Sequence, residues 1–234
     1  MSLLELRNVC KSYGHQAQAH VVLKDVCLEL DGGEMATIWG GRRSGRSTFL
    51  RVAAGIEPPD RGTVLFEGHD ISRPGAPADL AAIAYCHPLD GLASAQSVYD
   101  LLIKSPLSRG VDAHTAEQMV HTALERAGAD ECAEQGICAL DRAERVRVQV
   151  ARALLRSPKL IVIDEPTLGA SLEQREELIR LLRSLVDEGI AVLQSTDNET
   201  FFLGADRALT IDRGILRGEI CPPMAEVLPL RRPA

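Results

Sequence analysis

The sequence predicts an α/β fold: a mainly parallel core sheet with flanking helices, joined to an N-terminal antiparallel β portion and interrupted by an inserted helical subdomain. Three observations carry this. The apolar run Glu34 to Trp39 enters the glycine-rich stretch Gly40 to Ser47 and then a short helical pattern. The last third alternates short apolar runs with amphipathic periods, the pattern of strands separated by crossover helices. The middle carries helical periodicity. Residues 1–87 and 157–220 are therefore expected to form the core with its antiparallel portion, 88–156 the helical subdomain, and 221–234 a C-terminal tail.

Taken in order, Leu4, Leu6 and Val9 alternate with polar neighbours, and Val22 to Leu30 is rich in β-branched and leucine residues, so both read as strands. Asp31-Gly32-Gly33 turns the chain into the buried strand that ends at Trp39. After the glycine stretch, Phe49, Leu50, Val52 and Ala53 give a helix stopped by Gly55, and Pro58 to Gly62 is turn chemistry before a strand over Thr63 to Phe66. From Asp112, a natural N-cap, apolar residues at Ala116, Met119, Val120, Ala123, Leu124 and Ala127 give a helix ended by Gly128. A second helix spans about Asp141 to Leu155. Strand Leu160 to Ile163, a helix from Ser171 to about Val186, strand Ile190 to Leu193, and a final pair around the turn Asp212-Arg213-Gly214 complete the chain.

The 234 residues suit one large domain or one domain with a smaller inserted lobe, and 45% hydrophobic with 25% charged residues excludes disordered and collagen-like classes. No apolar run approaches the ~18 residues of a membrane span, and the N-terminus does not read as a signal peptide, so a cytosolic location is expected. A net charge of −7 and few aromatics argue against nucleic acid as a partner. The 26 basic residues divide into 22 Arg and 4 Lys. The six cysteines include no C-x-x-C pair and are expected to be small buried thiols.

Gly40 to Ser47 fits the phosphate-loop pattern G-x-x-x-x-G-K-[ST] at every fixed position but one, where Arg46 replaces lysine. Such a loop wraps backbone N–H groups around phosphate oxygens at a helix N-terminus, with the lysine on the terminal phosphates and the Ser hydroxyl on Mg²⁺. Leu160 to Ile163 then ends in Asp164 and Glu165, the layout for an Mg²⁺-organising carboxylate and a water-polarising one.

Together these blocks resemble the ATP-binding cassette ATPases of ABC transporters, P-loop NTPases with a RecA-like core. Leu6 to Gly14 is similar to that family's opening strand with its adenine-stacking aromatic, here Tyr13; Leu50 to Val64 follows its post-loop helix and turn; Glu144 to Leu154 resembles the helix behind its signature motif. The insertion at His15 to His20 resembles the lipoprotein-release and macrolide-efflux branch. The resemblance implies ATP and Mg²⁺ as cofactors, with Tyr13, Gly40, Arg43, Gly45, Arg46, Ser47 and Thr48 on the nucleotide, Ser47 and Asp164 on the metal, and Glu165 as the catalytic carboxylate.

Eight positions depart from the family pattern. Arg46 stands for the loop lysine, which reads either as drift in an arginine-rich chain or as lost hydrolysis, since Arg and Lys are not interchangeable at a phosphate. Arg43 stands for a glycine, where φ > 0 or close backbone approach favours having no side chain. Pro88 replaces the Gln that contacts Mg²⁺ and the permease. The signature Leu-Ser-Gly-Gly-Glu becomes Leu140-Asp141-Arg142-Ala143-Glu144. Asp141 is either a helix N-cap or a carboxylate facing phosphate, and Ser171, in place of a loop Asp, is also readable as an N-cap. Asp197 replaces the switch histidine; beside a phosphate at ~4 Å it would repel by about 4 kcal/mol at an effective dielectric near 20. The arginines at 42, 43, 46 and 51 either retain a phosphate or form salt bridges in its place.

The expectation is a degenerate, pseudo-ATPase nucleotide-binding subunit, peripheral on the cytoplasmic face of the membrane. It would dock on a separate permease and a sister nucleotide-binding subunit, in a heterodimer rather than a homodimer. An active ATPase motor is the alternative, and a soluble cassette acting on nucleic acid a third.

Overall fold

The computed structural model describes residues 2–14, 20–73, 80–87, 97–197 and 204–220. Pro88, residues 15–19 of the N-terminal insertion and the 221–234 segment lie outside them. The elements run β1 (Leu4–Tyr13), β2 (His20–Leu30), β3 (Met35–Trp39), α1 (Arg46–Ala53), β4 (Arg61–Phe66), β5 (His69–Asp70), β6 (Ile83–Cys86), α2 (Val98–Ser108), α3 (Ala113–Ala127), α4 (Arg142–Leu154), β7 (Leu160–Ile163), α5 (Leu172–Asp187), β8 (Ala191–Thr196), β9 (Arg207–Asp212) and β10 (Ile215–Ile220). Two sheets form: an antiparallel one in the order β2-β1-β4-β5, and a six-stranded one in the order β10-β9-β3-β8-β7-β6. Strands β9, β3, β8, β7 and β6 are mutually parallel, and β10 closes one edge antiparallel to β9.

The central strands are covered on both faces, which is why they read as continuous apolar runs. Their period of two still sorts the side chains. Leu160 and Val162 of β7, Leu193 of β8 and Ile38 of β3 join α1 and the antiparallel sheet in one core. Ile161, Ile163, Val192 and Met35 face the other core, built with α2 to α5. In β1 the apolar spacing lengthens from two residues (Leu4, Leu6) to three (Val9) because the β1–β2 ladder slips between Leu6 and Val9. Asn8, in that slip, and Asp25, in the next one between Val9 and Lys11, adopt positive φ of 48° and 45°.

Helix caps fall where the sequence places them: Asp112 and Gly128 bound α3, Asp141 caps α4 and Ser171 caps α5. Helix α2 is additional to the sequence reading. Pro106 lies inside it and signals a break, yet Pro106 sits in the last turn, and Ser97 caps the start by accepting from the Asp100 N–H. The cysteine expectation needs correction. Cys86 and Cys132 are buried, but Cys27 and Cys138 are exposed and Cys10 is intermediate, all as free thiols. Cys27 lies on an outward position of the edge strand β2, and Cys138 in a one-turn helix before α4. Among the described residues no helix is long and apolar enough to cross a membrane.

The passage from β3 into its loop tolerates no side chain. A Cβ on Gly40 would come 2.4 Å from the Ile211 carbonyl oxygen on the neighbouring strand, whereas one on Gly41 meets nothing within 4 Å. Gly40→Ala is therefore expected to destabilise the protein by about 1–3 kcal/mol and Gly41→Ala by less than about 0.5 kcal/mol, read from urea unfolding midpoints.

Candidate functional site: the phosphate loop and the acids of β7

The loop between β3 and α1 is fixed at both ends by backbone contacts. Gly40 N–H donates to Thr196 O at the end of β8 (3.3 Å), and Gly214 N–H, in the β9–β10 turn, donates to Ser44 O (2.9 Å). Gly45 caps α1 with φ 109°, and its Cβ position is closed by Val22 O at 2.9 Å. Arg43 has φ 64°, the left-handed conformation that costs a non-glycine residue roughly 1–2 kcal/mol. The glycine expected at that position would adopt it freely. The loop lines a cavity of about 320 Å³.

Sheet order brings the acids to this loop. β8 lies between β3 and β7, so Asp164 and Glu165 at the tip of β7 stand two strands from Gly40. The Arg46 guanidinium donates through Nη2 to Glu165 Oε1 in an ion pair whose side chains are 7% and 23% exposed. Ser195 on β8 organises both acids: its hydroxyl donates to Asp164 Oδ1, and its oxygen accepts the Glu165 N–H at 3.1 Å. Burial raises the Glu165 carboxyl above the ordinary glutamate value, Arg46 opposes this, and the Asp197 and Asp164 carboxylates push it further up; Arg142 acts in the opposite sense. Burial, with the nearby Asp164 charge, pushes the Tyr85 phenol up to about 12.

Tyr13, the candidate adenine platform, is held by its hydroxyl, which donates to Glu57 Oε2 at 2.8 Å and accepts from Arg51 Nη2 at 3.2 Å. Thr48 Oγ1 lies 3.3 Å from the same hydroxyl. Lys11 Nζ sits 5.8 Å from the ring centroid and pairs with Glu57. Arg51 also binds Glu57. Ser47 is exposed at the mouth of the loop.

The signature segment is tied within the chain. Asp141 and Glu144 form a capping box on α4, and Ser171 and Gln174 form one on α5. Gln174 joins them, since its Oε1 accepts from Ser171 N–H (3.0 Å) while its Nε2 donates to Asp141 Oδ2 (2.9 Å). Arg142 lies over Gly169, where a Cβ would approach its Cδ to 3.2 Å. The Ala143 methyl is buried in the helical core. The structure thus brings Arg46, Asp164, Glu165 and Asp197 into one electrostatic cluster and leaves Asp141 and Ser171 in a second, with Arg142 laid over Gly169 and still acting on Glu165. Ser195 and Gln174 escape the sequence reading. The available signal for Ser195 is the polar run Gln194-Ser195-Thr196 inside a strand that is buried at every position.

A parallel sheet that delivers a glycine loop to a helix N-terminus, with paired acids on a neighbouring strand tip, is the core of a P-loop NTPase. The family described as ABC transporter matches residues 23–168, more than half of the chain, and the protein belongs to that family as an ATP-binding subunit. A ribose import ATP-binding protein from Yersinia pestis is 34% identical over 82% of this chain. A macrolide export ATP-binding/permease protein from Salmonella typhimurium is 30% identical over 91% of it. The chain spans 38% and 34% of those proteins' lengths. Among solved structures, a dimeric ATP-binding cassette in a post-hydrolysis state with ADP and Pi superposes with a TM-score of 0.82 at 22% identity, covering 93% of this chain and 97% of that one. That likeness bears on the fold.

The cluster makes a titration prediction. Because its folded pKa is raised above 4.5, Glu165 contributes stability that is fully present below the unfolded pKa and is lost as pH rises through the folded one. Carboxyl ¹³C titration should place Glu165 above an ordinary glutamate. Asp197→Asn should lower its pKa by removing a repelling charge, and Arg46→Met should raise it further; an Asp197→Asn variant with an unmoved Glu165 pKa would contradict the cluster.

Proposed function

We propose that this chain is a nucleotide-binding subunit of an ABC transporter with little or no hydrolytic activity, docked on a separate transmembrane permease and paired with an active sister subunit at the cytoplasmic face of the membrane. The Arg46–Glu165 ion pair carries the reading. A carboxylate acts as a base on water through an oxygen that reaches it at hydrogen-bond distance; here Glu165 Oε1 is held by the Arg46 guanidinium, and the guanidinium charge weakens the whole carboxylate as a base. The altered positions around the pair point the same way: Arg43, Asp197 and the Asp141-Arg142-Ala143 signature, together with Pro88 in the sequence.

The loop cavity, the α1 N-terminus and the retained Gly40, Gly45, Ser47 and Thr48 suit the phosphates of ATP, with Tyr13 flanking the base. Bound ATP would supply the phosphoanhydride whose cleavage drives an intact cassette. Ser47 and Asp164 are the residues that would hold Mg²⁺, but Asp164 is engaged by Ser195, and Arg46 puts a positive charge beside the acids. This donor set fits a divalent ion poorly.

Pairing with a different, intact subunit follows from the distribution of the changes, since a homodimer would carry every alteration in both sites. The macrolide relative's name, ATP-binding/permease, supports a permease as a partner. The retained Asp164-Glu165 pair favours the competing reading of an active motor. The two part on turnover. The full-length chain is expected to hydrolyse Mg·ATP no faster than background, and Glu165→Gln in this chain alone should leave the purified transporter's ATPase rate within about twofold. A catalytic carboxylate would give a loss of about 10²–10⁴-fold, and that result would establish the motor.

A further inference from the structure

Two polar atoms in the phosphate loop are buried without a protein partner: Ser44 Oγ and Arg46 Nη1, on residues each 7% exposed. A buried guanidinium nitrogen left bare carries a desolvation penalty, and such groups are nearly always satisfied by protein, water or ligand. Both residues line the cavity of about 320 Å³ that also opens onto Gly41, Arg43, Gly45, Ser47 and Thr48. The cavity lies at the N-terminus of α1, whose first turn carries no acidic side chain, so the backbone N–H groups and the helix dipole add to the positive field there.

The metal side of the site has the opposite character. Asp164 Oδ1 accepts the Ser195 hydroxyl and Glu165 Oε1 holds Arg46 Nη2. A divalent cation drawn to these acids would sit against a fixed guanidinium of like charge. The guanidinium itself can supply, through planar N–H donors, the positive charge that a metal brings to phosphate oxygens.

The geometry points to a site that binds a polyphosphate oxyanion without a divalent metal, Arg46 taking the metal's electrostatic place; it deepens the reading of a chain that does not hydrolyse ATP. Metal-free polyphosphate offers the greater negative charge to this cradle, and Mg²⁺, by neutralising that charge and covering phosphate oxygens, competes with binding. Tyr13 does not line this cavity, so a base beside it adds little to the hold on the phosphates. The Tyr13 hydroxyl is held by Glu57 and Arg51, and Lys11 lies near its ring. The end of a nucleoside triphosphate and inorganic pyrophosphate present the same chemistry to the loop.

Isothermal titration of the full-length chain with ATP and with pyrophosphate, each in EDTA and in excess Mg²⁺, tests this. Both ligands should bind in EDTA with Kd values within about threefold of each other, and Mg²⁺ should weaken each at least about fivefold. Arg46→Ala should lose about tenfold or more. Ser44→Ala, which deletes a single buried hydroxyl and leaves the ion pair intact, should lose about threefold. Glu165→Gln should tighten binding by releasing the guanidinium. A requirement for Mg²⁺, no binding by the folded chain in EDTA, or affinity indifferent to both Arg46→Ala and Ser44→Ala overturns the inference. ATP binding with pyrophosphate inert overturns the ligand class. Turnover of Mg·ATP in the same preparation would instead refute the non-hydrolytic reading, and metal-dependent binding without turnover would refute this inference alone.

Discussion

The ion pair between Arg46 and Glu165 joins residues 119 apart in sequence, and the rest of the site is arranged around it. It exists because β8 separates β3 from β7 by one strand's width, setting the first residue of α1 opposite the turn after β7. Glu165 has a positive φ of 49°, and its N–H is held by Ser195. The carboxylate is thus positioned by backbone geometry as well as by charge. With one partner at 7% exposure, removing either group would leave the other poorly compensated, a loss larger than a surface pair could cause. Asp164 and Asp197 add negative charge around Glu165, and the guanidinium groups of Arg46 and, more weakly, Arg142 oppose it.

The signature segment is held by a different set of contacts. In a cassette that clasps phosphate across a dimer, a hydroxyl and two glycines leave the segment open. Here Asp141 is occupied by its own helix and by Gln174, Arg142 is laid over Gly169, and the Ala143 methyl fills space in the core. The substitutions are mutually consistent: Gln174 reaches Asp141 because Ser171 and Asp141 are both N-caps, and its amide serves one with each end. Asp141, Arg142 and Ala143 are thus tied within the chain, while Ser44 Oγ and Arg46 Nη1 in the phosphate loop keep no protein partner.

The sheet core was legible in the sequence because apolar runs, glycine turns and caps report local physics. Asp112, Gly128, Asp141 and Ser171 bound their helices as composition indicates. Helix α2 was not legible, because Pro106 reads as a break and only the surrounding packing shows that it closes the last turn. The exposed Cys27 and Cys138 follow from strand and turn positions that composition does not encode. At the site, the sequence supplied the residues and their departures, and at residue 43 it left open positive φ or a close backbone approach, of which the structure shows positive φ. It left open whether the arginines form salt bridges, since that depends on strand order bringing Glu165 to Arg46. Ser195 and Gln174 were invisible for the same reason: each acts on a residue about thirty positions away, through pairing of strands or packing of helix ends.

Arg46 and Glu165 are bound to each other across the mouth of the sheet's parallel strands. A double-mutant cycle with Arg46→Met, Glu165→Gln and the double variant, read as urea unfolding free energies of the full chain, measures that bond directly. A favourable coupling energy of about 1–3 kcal/mol is expected, shrinking only slightly at high salt because the pair is largely buried. Additive effects, with a coupling near zero, would contradict it.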